Sequence, residues 1–306
     1  MSKWKRLKRD IVKSKQLYIL ILPVILYYVI FHYGSMYGAI IAFMDYKPVK
    51  GLFGSNWVGL KHFKKFIEDP YFFRLMRNTL VISVSNIIFS TPAAIIFALM
   101  INEIRNSKFK KAVQTVSYLP HFISIVVICG MLKEFLASDG IITSILSSIG
   151  LTEKKNLLMS PDLYPVLHVA SNIWQTLGWN SIVYLSALAA IDQEQYEAAD
   201  LDGAGRLQKM RYITLPGIMP TIVIMLIMKM GQVLSVGYEK VILLYNTTTY
   251  ETADVISSYV YRTGLASSYP QFSYSAAVGL FSSVINLILV ISANKISKKL
   301  SGSGLW

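Results

Sequence analysis

Charged side chains are scarce in this chain of 306 residues. Asp, Glu, Lys and Arg make up 15% of it, whereas soluble domains carry about 25%. Hydrophobic residues reach 54%, and the mean hydropathy is +0.47. This composition excludes an ordinary soluble domain and is typical of a protein that lipid surrounds over much of its length.

Cysteine and acidic residues are also few. The only cysteine, Cys129, lies in an apolar run, so no intrachain disulfide can form and we expect a small core residue. The net charge of +13 does not indicate nucleic-acid binding, because cations cluster beside apolar runs, a pattern typical of anchoring on an anionic inner leaflet. The cations that flank the first and last apolar runs are Lys3, Lys5, Arg6, Lys8, Arg9, Lys13 and Lys15, then Lys295, Lys298 and Lys299.

Catalytic and metal-binding motifs are missing. The sequence has no Gly-x-x-x-x-Gly-Lys-Ser/Thr phosphate loop, so the chain is not itself an ATPase. It has no His-Glu-x-x-His and no Gly-x-Ser-x-Gly, which leaves metalloprotease and hydrolase chemistry without a basis. The four histidines, His32, His62, His121 and His168, lack metal-ligand spacing. We therefore expect no catalytic residue, no metal site and no enzyme activity.

Long apolar runs are what the chain has instead. Six segments approach or exceed the roughly 20 residues that a membrane-spanning helix needs, and Lys229 is the only charge within them. These segments are Gln16–Met44, Thr79–Ile101, Ala112–Leu132, Leu163–Ile191, Gly217–Tyr238 and Gln271–Asn294. The first is expected to be a retained helix and not a signal peptide, because it is too long and no small-x-small cleavage site follows. The sequence predicts an all-α membrane protein with six transmembrane helices.

The distribution of Lys and Arg between the connections predicts the orientation. With the N-terminus inside, cytoplasmic segments carry 17 of these cations and outer segments 12. Both termini are therefore expected in the cytoplasm. The predicted organisation is a basic segment at 1–15, one transmembrane domain at 16–294 with a cytoplasmic loop at 192–216, and a tail at 295–306.

Two outer connections have recognisable patterns. The loop Asp45–Asn78 contains an amphipathic stretch, Trp57–Pro70, in which Phe63, Phe66 and Ile67 share one helical face. It is expected to form a helix that lies on the outer leaflet. Within Lys133–Asp162, the run 140–150 is too short to span and predicts a partial helix near the outer surface.

The cytoplasmic loop between the fourth and fifth spans has the pattern of a helix–turn–helix. Asp192 and Gln195 have the spacing of a capping box, and Gly203 and Gly205 can end the first helix and turn the chain. Small residues keep this helix thin enough to seat in a cleft of another protein. The alternative is an ordinary amphipathic connector.

Polar groups inside the spans are candidates for a solute path, because they are costly in lipid and usually face protein or water. Each could equally form hydrogen bonds between helices. Lys229 is the strongest candidate, since it lies near the middle of the predicted fifth span. The candidates are Lys229, Gln232, Trp174, Gln175, Asn180, Tyr184, Asn286 and His121.

The cytoplasmic loop closely resembles the EAA loop of ABC importer permeases, which binds the partner ATPase. One departure is Met210, where the sugar-transporter branch usually has Phe. The residues that match, and to which the resemblance assigns ATPase docking, are Glu197, Ala198, Ala199, Asp202, Gly203, Ala204, Ile213, Leu215 and Pro216.

The resemblance extends along nearly the whole chain. Gly59–Phe63, Asp69–Phe73 and Arg77–Leu80 resemble the MalF-like group of carbohydrate-uptake permeases. The segments that resemble its LplB-like branch, associated with complex oligosaccharides and polysaccharide fragments, are Gly237–Tyr245, Val255–Tyr261, Tyr274–Leu280 and the closing Ser303–Trp306.

This resemblance implies a binding-protein-dependent importer in the bacterial cytoplasmic membrane. Its expected partners are a second permease, two ATPase subunits that bind ATP and Mg²⁺, and an extracellular lipid-anchored binding protein. The chain itself would bind no cofactor, and transport would proceed by alternating access. If Lys229 lines the cavity, the saccharide is expected to be acidic and pectin-like. The alternatives are an ABC permease for another solute, such as an amino acid or osmolyte, and an ATPase-independent channel or carrier.

Overall fold

A computed structural model of the protein describes residues 13–302 and 304–306, and it is mostly helical. The expected anchoring role of Lys3, Lys5, Arg6, Lys8 and Arg9, and most of the predicted segment 1–15, lie outside the described residues.

The first half of the chain begins with α1, Lys15–Phe43, which passes from an α-helix (Lys15–Tyr27) through a π-helical turn (Tyr28–Tyr33) and a short α-helical turn (Gly34–Met36) into a 3-10 helix (Tyr37–Phe43). The two-stranded antiparallel pair β1 (Met44–Asp45) and β2 (Asn56–Trp57) follows, with Met44 opposite Trp57. The next helices are α2 (Lys61–Ile67), α3 (Phe72–Asn102), α4 (Ser107–Tyr118), α5 (Ile125–Phe135) and α6 (Ile141–Ser148).

The second half opens with a 3-10 turn, Leu157–Met159. Its helices are α7 (Tyr164–Ala189), α8 (Gln193–Leu201), α9 (Arg206–Met230), α10 (Tyr238–Leu244), α11 (Tyr250–Ala253), α12 (Ile256–Gly264) and α13 (Phe272–Ser301). The short α6 confirms the partial helix predicted between the third and fourth spans. The most extensive helix pair joins α3 to α7, and buried apolar clusters lie along it.

Within the described residues, four helices are long and apolar enough to cross a membrane: α1, α3, α9 and α13. A fifth candidate is the bent pair of α4, with the 3-10 turn Leu119–Phe122, and α5. Helix α7 has 26 residues but does not pass this test. Its polar side chains lower its hydropathy, and several of them, such as Ser171 and Ser181, are buried against other helices. Six spans therefore remain a prediction.

The third predicted span is not one helix, and this expectation was wrong. The chain bends by 97° between Phe122 and Ile125. Ile123 and Ser124 are extended, and Ser124 Oγ accepts a hydrogen bond from the N–H of Val127 (3.4 Å), which starts α5 in a new direction. Pro120, which lacks an N–H, lies in the 3-10 turn before this break.

The fifth predicted span, Gly217–Tyr238, was wrong at both ends. Helix α9 begins at Arg206, within the loop predicted at 192–216, and ends at Met230. Lys229 consequently lies in its last turn and not near its middle. A Cβ at the following Gly231 would approach Val290 of α13 to 2.6 Å, so glycine permits this close packing.

The amphipathic stretch predicted in the loop Asp45–Asn78 forms α2, which packs on α13. Phe66 is fully buried among aromatic rings, whereas Ile67 is 53% exposed, and the placement of this helix on the outer leaflet stays a prediction. Asp69, just beyond α2, accepts hydrogen bonds from the hydroxyls of Tyr259 and Tyr274, both 2.8 Å. Burial opposes ionisation of Asp69, but these bonds and one from the N–H of Tyr71 outweigh it and lower the pKa of the carboxyl.

Candidate docking loop and solute cavity

The loop between α7 and α9 forms a defined knuckle. Asp192 Oδ1 accepts a hydrogen bond from the N–H of Glu194 (3.0 Å) and starts α8. The capping box predicted with Gln195 is not formed, because the side chain of Asp192 bonds one residue earlier. At the other end, the Ala204 N–H donates to the carbonyl of Ala199 (2.9 Å).

Gly203 makes this turn possible, with φ of +73°, in the left-handed region where residues with a Cβ are disfavoured. Gly205 is the N-cap that precedes α9, and the side-chain oxygen of Gln208 accepts a hydrogen bond from the Gly205 N–H (2.7 Å). The turn predicted at these two glycines is present in the structure.

Two side-chain contacts attach α8 to α9. Lys209 Nζ lies 2.5 Å from Asp200 Oδ1, and the hydroxyls of Tyr196 and Thr214 are 2.9 Å apart. Because α9 continues without a break from Arg206 to Met230, these contacts join α8 directly to a helix that is long and apolar enough to cross a membrane.

The outer surface of the knuckle is open. Among the predicted docking residues, Glu197, Ala198, Asp202, Gly203 and Pro216 are exposed, whereas Ala199, Ala204, Ile213 and Leu215 are half-buried. Three large apolar side chains that sequence reasoning missed are also exposed: Leu201 by 91%, Leu207 by 77% and Tyr212 by 70%. The sequence could have indicated them, because they are large apolar residues within a polar segment. Together with the exposed docking residues they define what we call the docking surface.

Of the predicted path residues, Lys229 and Gln232 line the same cavity, of about 210 Å³, between α3, α7 and the end of α9. We call it the inner cavity. Lys229 Nζ donates to Thr91 Oγ1 (2.8 Å).

Sequence reasoning missed five polar residues that line the inner cavity: Ser83, Asn86, His168, Asn172 and Ser235. Asn172 donates to Asn86 Oδ1 (2.9 Å), and neither ring nitrogen of His168 has a hydrogen-bond partner among the described residues. Their signal was weak, because a single polar residue in an apolar run does not show which way it faces.

The other predicted path residues lie elsewhere. Trp174 lines a separate apolar cavity of about 400 Å³ between α5, α6 and α7. Tyr184 is 1% exposed and belongs to the core. Asn286 accepts a hydrogen bond from the N–H of Leu234 (3.0 Å) and donates to Ser235 Oγ (2.9 Å).

The remaining candidates lie on α7 or beside it. His121 stacks on Trp179, with ring centroids 4.3 Å apart. Gln175 and Asn180 are half-buried on α7, and neither is among the residues that line the inner cavity. Over residues 13–302 and 304–306, no group of three or more His, Cys, Asp or Glu side chains could hold a metal ion.

The structure combines apolar helices with an exposed knuckle and a polar cavity. This combination is typical of the membrane subunit of a transport system. Residues 83–302 match the family described as binding-protein-dependent transport system inner membrane component, and this chain belongs to that family. It is a permease subunit and not an enzyme, as the sequence predicted. A binding-protein-dependent family does not fit the alternative of an independent channel or carrier.

Relatives cover the full length of the chain. It is 44% identical over 306 residues to the polygalacturonan/rhamnogalacturonan transport system permease protein YteP of Bacillus subtilis (strain 168), covering 100% of this chain and 94% of the relative. It is 43% identical over 301 residues to Protein LplB of the same organism, covering 98% and 92%. The predicted resemblance to the LplB-like branch is confirmed.

Solved structures agree with the family. A chain from the crystal structure of a bacterial ABC transporter involved in the import of the acidic polysaccharide alginate matches with a TM-score of 0.86 and 42% identity, over 97% of this chain and 99% of that one. A chain from the bacterial alginate ABC transporter in complex with an alginate pentasaccharide-bound periplasmic protein matches with a TM-score of 0.87 and 41% identity, over 98% and 100%.

Proposed function

We propose that this chain is one of two permease subunits of an ATP-driven importer that carries an acidic oligosaccharide or polysaccharide fragment across the bacterial cytoplasmic membrane. Family membership and the printed functions of the relatives support the saccharide class. The observation that carries the coupling to an ATPase is the exposed docking surface at the end of a continuous spanning helix.

The proposed assembly contains a second permease, two ATPase subunits and an extracellular lipid-anchored binding protein. ATP and Mg²⁺ would bind to the ATPases and not to this chain. The alginate relative, captured with its periplasmic protein, supports the last of these partners. The proposed orientation has six spans, counting α7 and the bent α4–α5 pair, with both termini and the docking surface in the cytoplasm. The proposed domain boundaries remain 1–15, 16–294 with its loop at 192–216, and 295–306.

The knuckle explains how nucleotide-driven closure would reach the solute. The ATPase would displace α8, and the contacts of Lys209 with Asp200 and of Tyr196 with Thr214 would carry α9 with it. The inner cavity lies at the far end of α9, so this movement would change its walls and alternate its access between the two sides.

Two separate variants test docking: Glu197→Lys and Leu201→Ser. We expect both to reduce co-purification of the ATPase subunits and ATP-dependent uptake, because they place a new charge on, or remove an apolar contact from, the docking surface. Glu153→Lys is the matched control, since Glu153 is an exposed carboxylate in the connection between α6 and α7. None of these variants should change membrane insertion, which is measured by the yield and the thermal stability of the protein in detergent. Normal assembly and uptake in both docking variants would overturn this assignment.

The acidic character of the substrate rests on Lys229, the cation among the residues that line the inner cavity. Lys229→Met should reduce uptake of a uronate oligosaccharide roughly tenfold or more relative to a neutral one, because a charge-assisted hydrogen bond is lost. Lys229→Arg retains the charge and should keep most of the preference for the acidic sugar. Unchanged uptake of the uronate oligosaccharide by the Met variant would contradict the proposal.

A further inference from the structure

Two tyrosines form a stacked pair between the breaks of two membrane helices. Tyr238 begins α10, after the break that follows α9, and its ring lies 5.0 Å from that of Tyr261 on α12, with 20° between the ring planes. Both rings share a cavity with Ile125, the first residue after the break between α4 and α5. In membrane proteins, broken helices are tolerated where the backbone is buried in protein or lines a cavity.

Cavities lie beside this pair in two places. Tyr238 and Tyr261 both line a larger cavity of about 420 Å³ and a smaller cavity of about 340 Å³. The larger cavity shares Ser235, Val236 and Gly237 with the inner cavity. Those three residues therefore separate the tyrosine pair from the cavity of Lys229.

The separating segment is held in place by side chains. Asn286 donates to Ser235 Oγ (2.9 Å), and Ser257 Oγ donates to the carbonyl of Val236. The two cavities therefore adjoin each other at this short segment.

The chemistry around the pair suits an uncharged sugar ring. Aromatic faces accept the C–H face of a pyranose, and among the described residues neither tyrosine hydroxyl has a hydrogen-bond partner, so both are free for sugar hydroxyls. Glu239, exposed on the smaller cavity, can accept hydrogen bonds from hydroxyls but repels a carboxylate. Lys229 on the inner cavity has the opposite preference.

We propose that Tyr238 and Tyr261 form a second saccharide subsite, which stacks an uncharged hexopyranose unit while the neighbouring Lys229 cavity takes a charged one. The proposal rests on the proposed saccharide import and adds to it a substrate class: oligosaccharides that contain both neutral and uronate units.

The test is competitive uptake of two saccharides by the complete importer, one with alternating neutral and uronate units and one with uronate units only. The binding protein is the same in all reactions, so a changed preference reports the permease. Tyr238→Leu and, independently, Tyr261→Leu remove the stacking face but keep apolar volume. We expect each to lower uptake of the mixed saccharide relative to the all-uronate one by roughly 2- to 12-fold. Tyr238→Phe should keep most of the preference.

Tyr269→Leu is the matched control, because Tyr269 is 87% exposed and lines neither cavity. An unchanged preference in both leucine variants would overturn the subsite, and so would a loss in Tyr238→Phe as large as that in Tyr238→Leu. An unmutated importer that takes up only the all-uronate saccharide would refute the neutral subsite while supporting acidic import. An importer that takes up neither would refute the proposed function and the subsite with it.

Discussion

Gly203 shows how much one residue contributes to the docking knuckle. Its φ of +73° would cost an alanine about 1–2 kcal/mol, and a Cβ there would meet no atom within 4 Å. Gly203→Ala should therefore loosen the end of α8 through the backbone alone. Faster hydrogen exchange of the α8 amides and weaker ATPase co-purification are the expected readouts.

Gly205 provides the comparison for that prediction. Its φ is −71°, and the nearest atom to an added Cβ is the Gln208 side-chain oxygen at 3.6 Å. Gly205→Ala should leave exchange in α8 close to that of the unmutated protein. Equal exchange in the two alanine variants would mean that the conformation of Gly203 does not hold the turn.

Single residues were predictable where their function depends on local chemistry. The positions of the Gly203 turn and of the Asp192 cap follow from residue type and spacing. The environment of Lys229 did not follow, because its place in the inner cavity depends on Asn86 and Asn172 from two other helices. The environment of Tyr184 did not follow either. Its polar hydroxyl suggested a place on the solute path, but its side chain is buried in the core.

Helix α7 depends on a glycine for its packing. A Cβ at Gly178 would come within 2.2 Å of the backbone oxygen of Ser117 on α4. Gly178→Ala should force the two helices apart and lower stability by about 1–3 kcal/mol, the usual cost of overpacking. A lower midpoint of thermal unfolding in detergent is the expected result.

Gly130 on α5 is the control for this packing, since an added Cβ meets nothing within 4 Å. Gly130→Ala should be neutral or slightly stabilising, because alanine favours a helix more than glycine does. If Gly178→Ala were equally well tolerated, the close approach of α4 and α7 would not be needed for stability.

At the scale of helices, apolar length predicted where spans lie but not whether they are continuous. The break at Ile123 and Ser124 and the end of α9 at Met230 both occur inside apolar runs. Hydropathy does not detect such breaks, because they depend on hydrogen bonds to single side chains. Ser124 caps the new helix α5, and Asn286 accepts a hydrogen bond from the N–H of Leu234, just after the end of α9. The start of α9 at Arg206 was missed for the converse reason, as the polar first turns of this helix lower the local hydropathy.

A buried ionic cluster joins distant parts of the whole molecule. Asp254 is fully buried and lies 2.7 Å from Arg262 and 3.7 Å from Arg74 on α3. Ser258 Oγ also donates to Asp254 Oδ1 (2.8 Å). Burial opposes the charge of Arg262, but its bonds to Asp254 outweigh this and raise the pKa of the guanidinium. The cluster ties the segment after α11 to the first turn of α3.

Removing one partner from this cluster should destabilise the protein strongly. Arg262→Met leaves a buried carboxylate with its closest cation removed, for an expected cost of about 3–5 kcal/mol. The double variant Arg262→Met with Asp254→Leu removes both charges and should recover part of this loss. Thermal unfolding of the purified permease complex measures both, and a double variant no more stable than the single one would contradict a charge-based explanation.

By itself the sequence determined the class of protein, the approximate positions of its apolar spans and the position of the helix–turn–helix knuckle between α7 and α9. These features follow from composition, hydropathy and short-range spacing. Burial of a helix in lipid and the capping of helix ends depend on residues that are close together in the sequence. Only the tertiary structure decided that α9 joins the knuckle to the inner cavity, that Lys229, Asn86 and Asn172 line that cavity together, and that Tyr238 stacks on Tyr261. These arrangements depend on side chains far apart in the chain, whose meeting is set by helix packing and by where helices break.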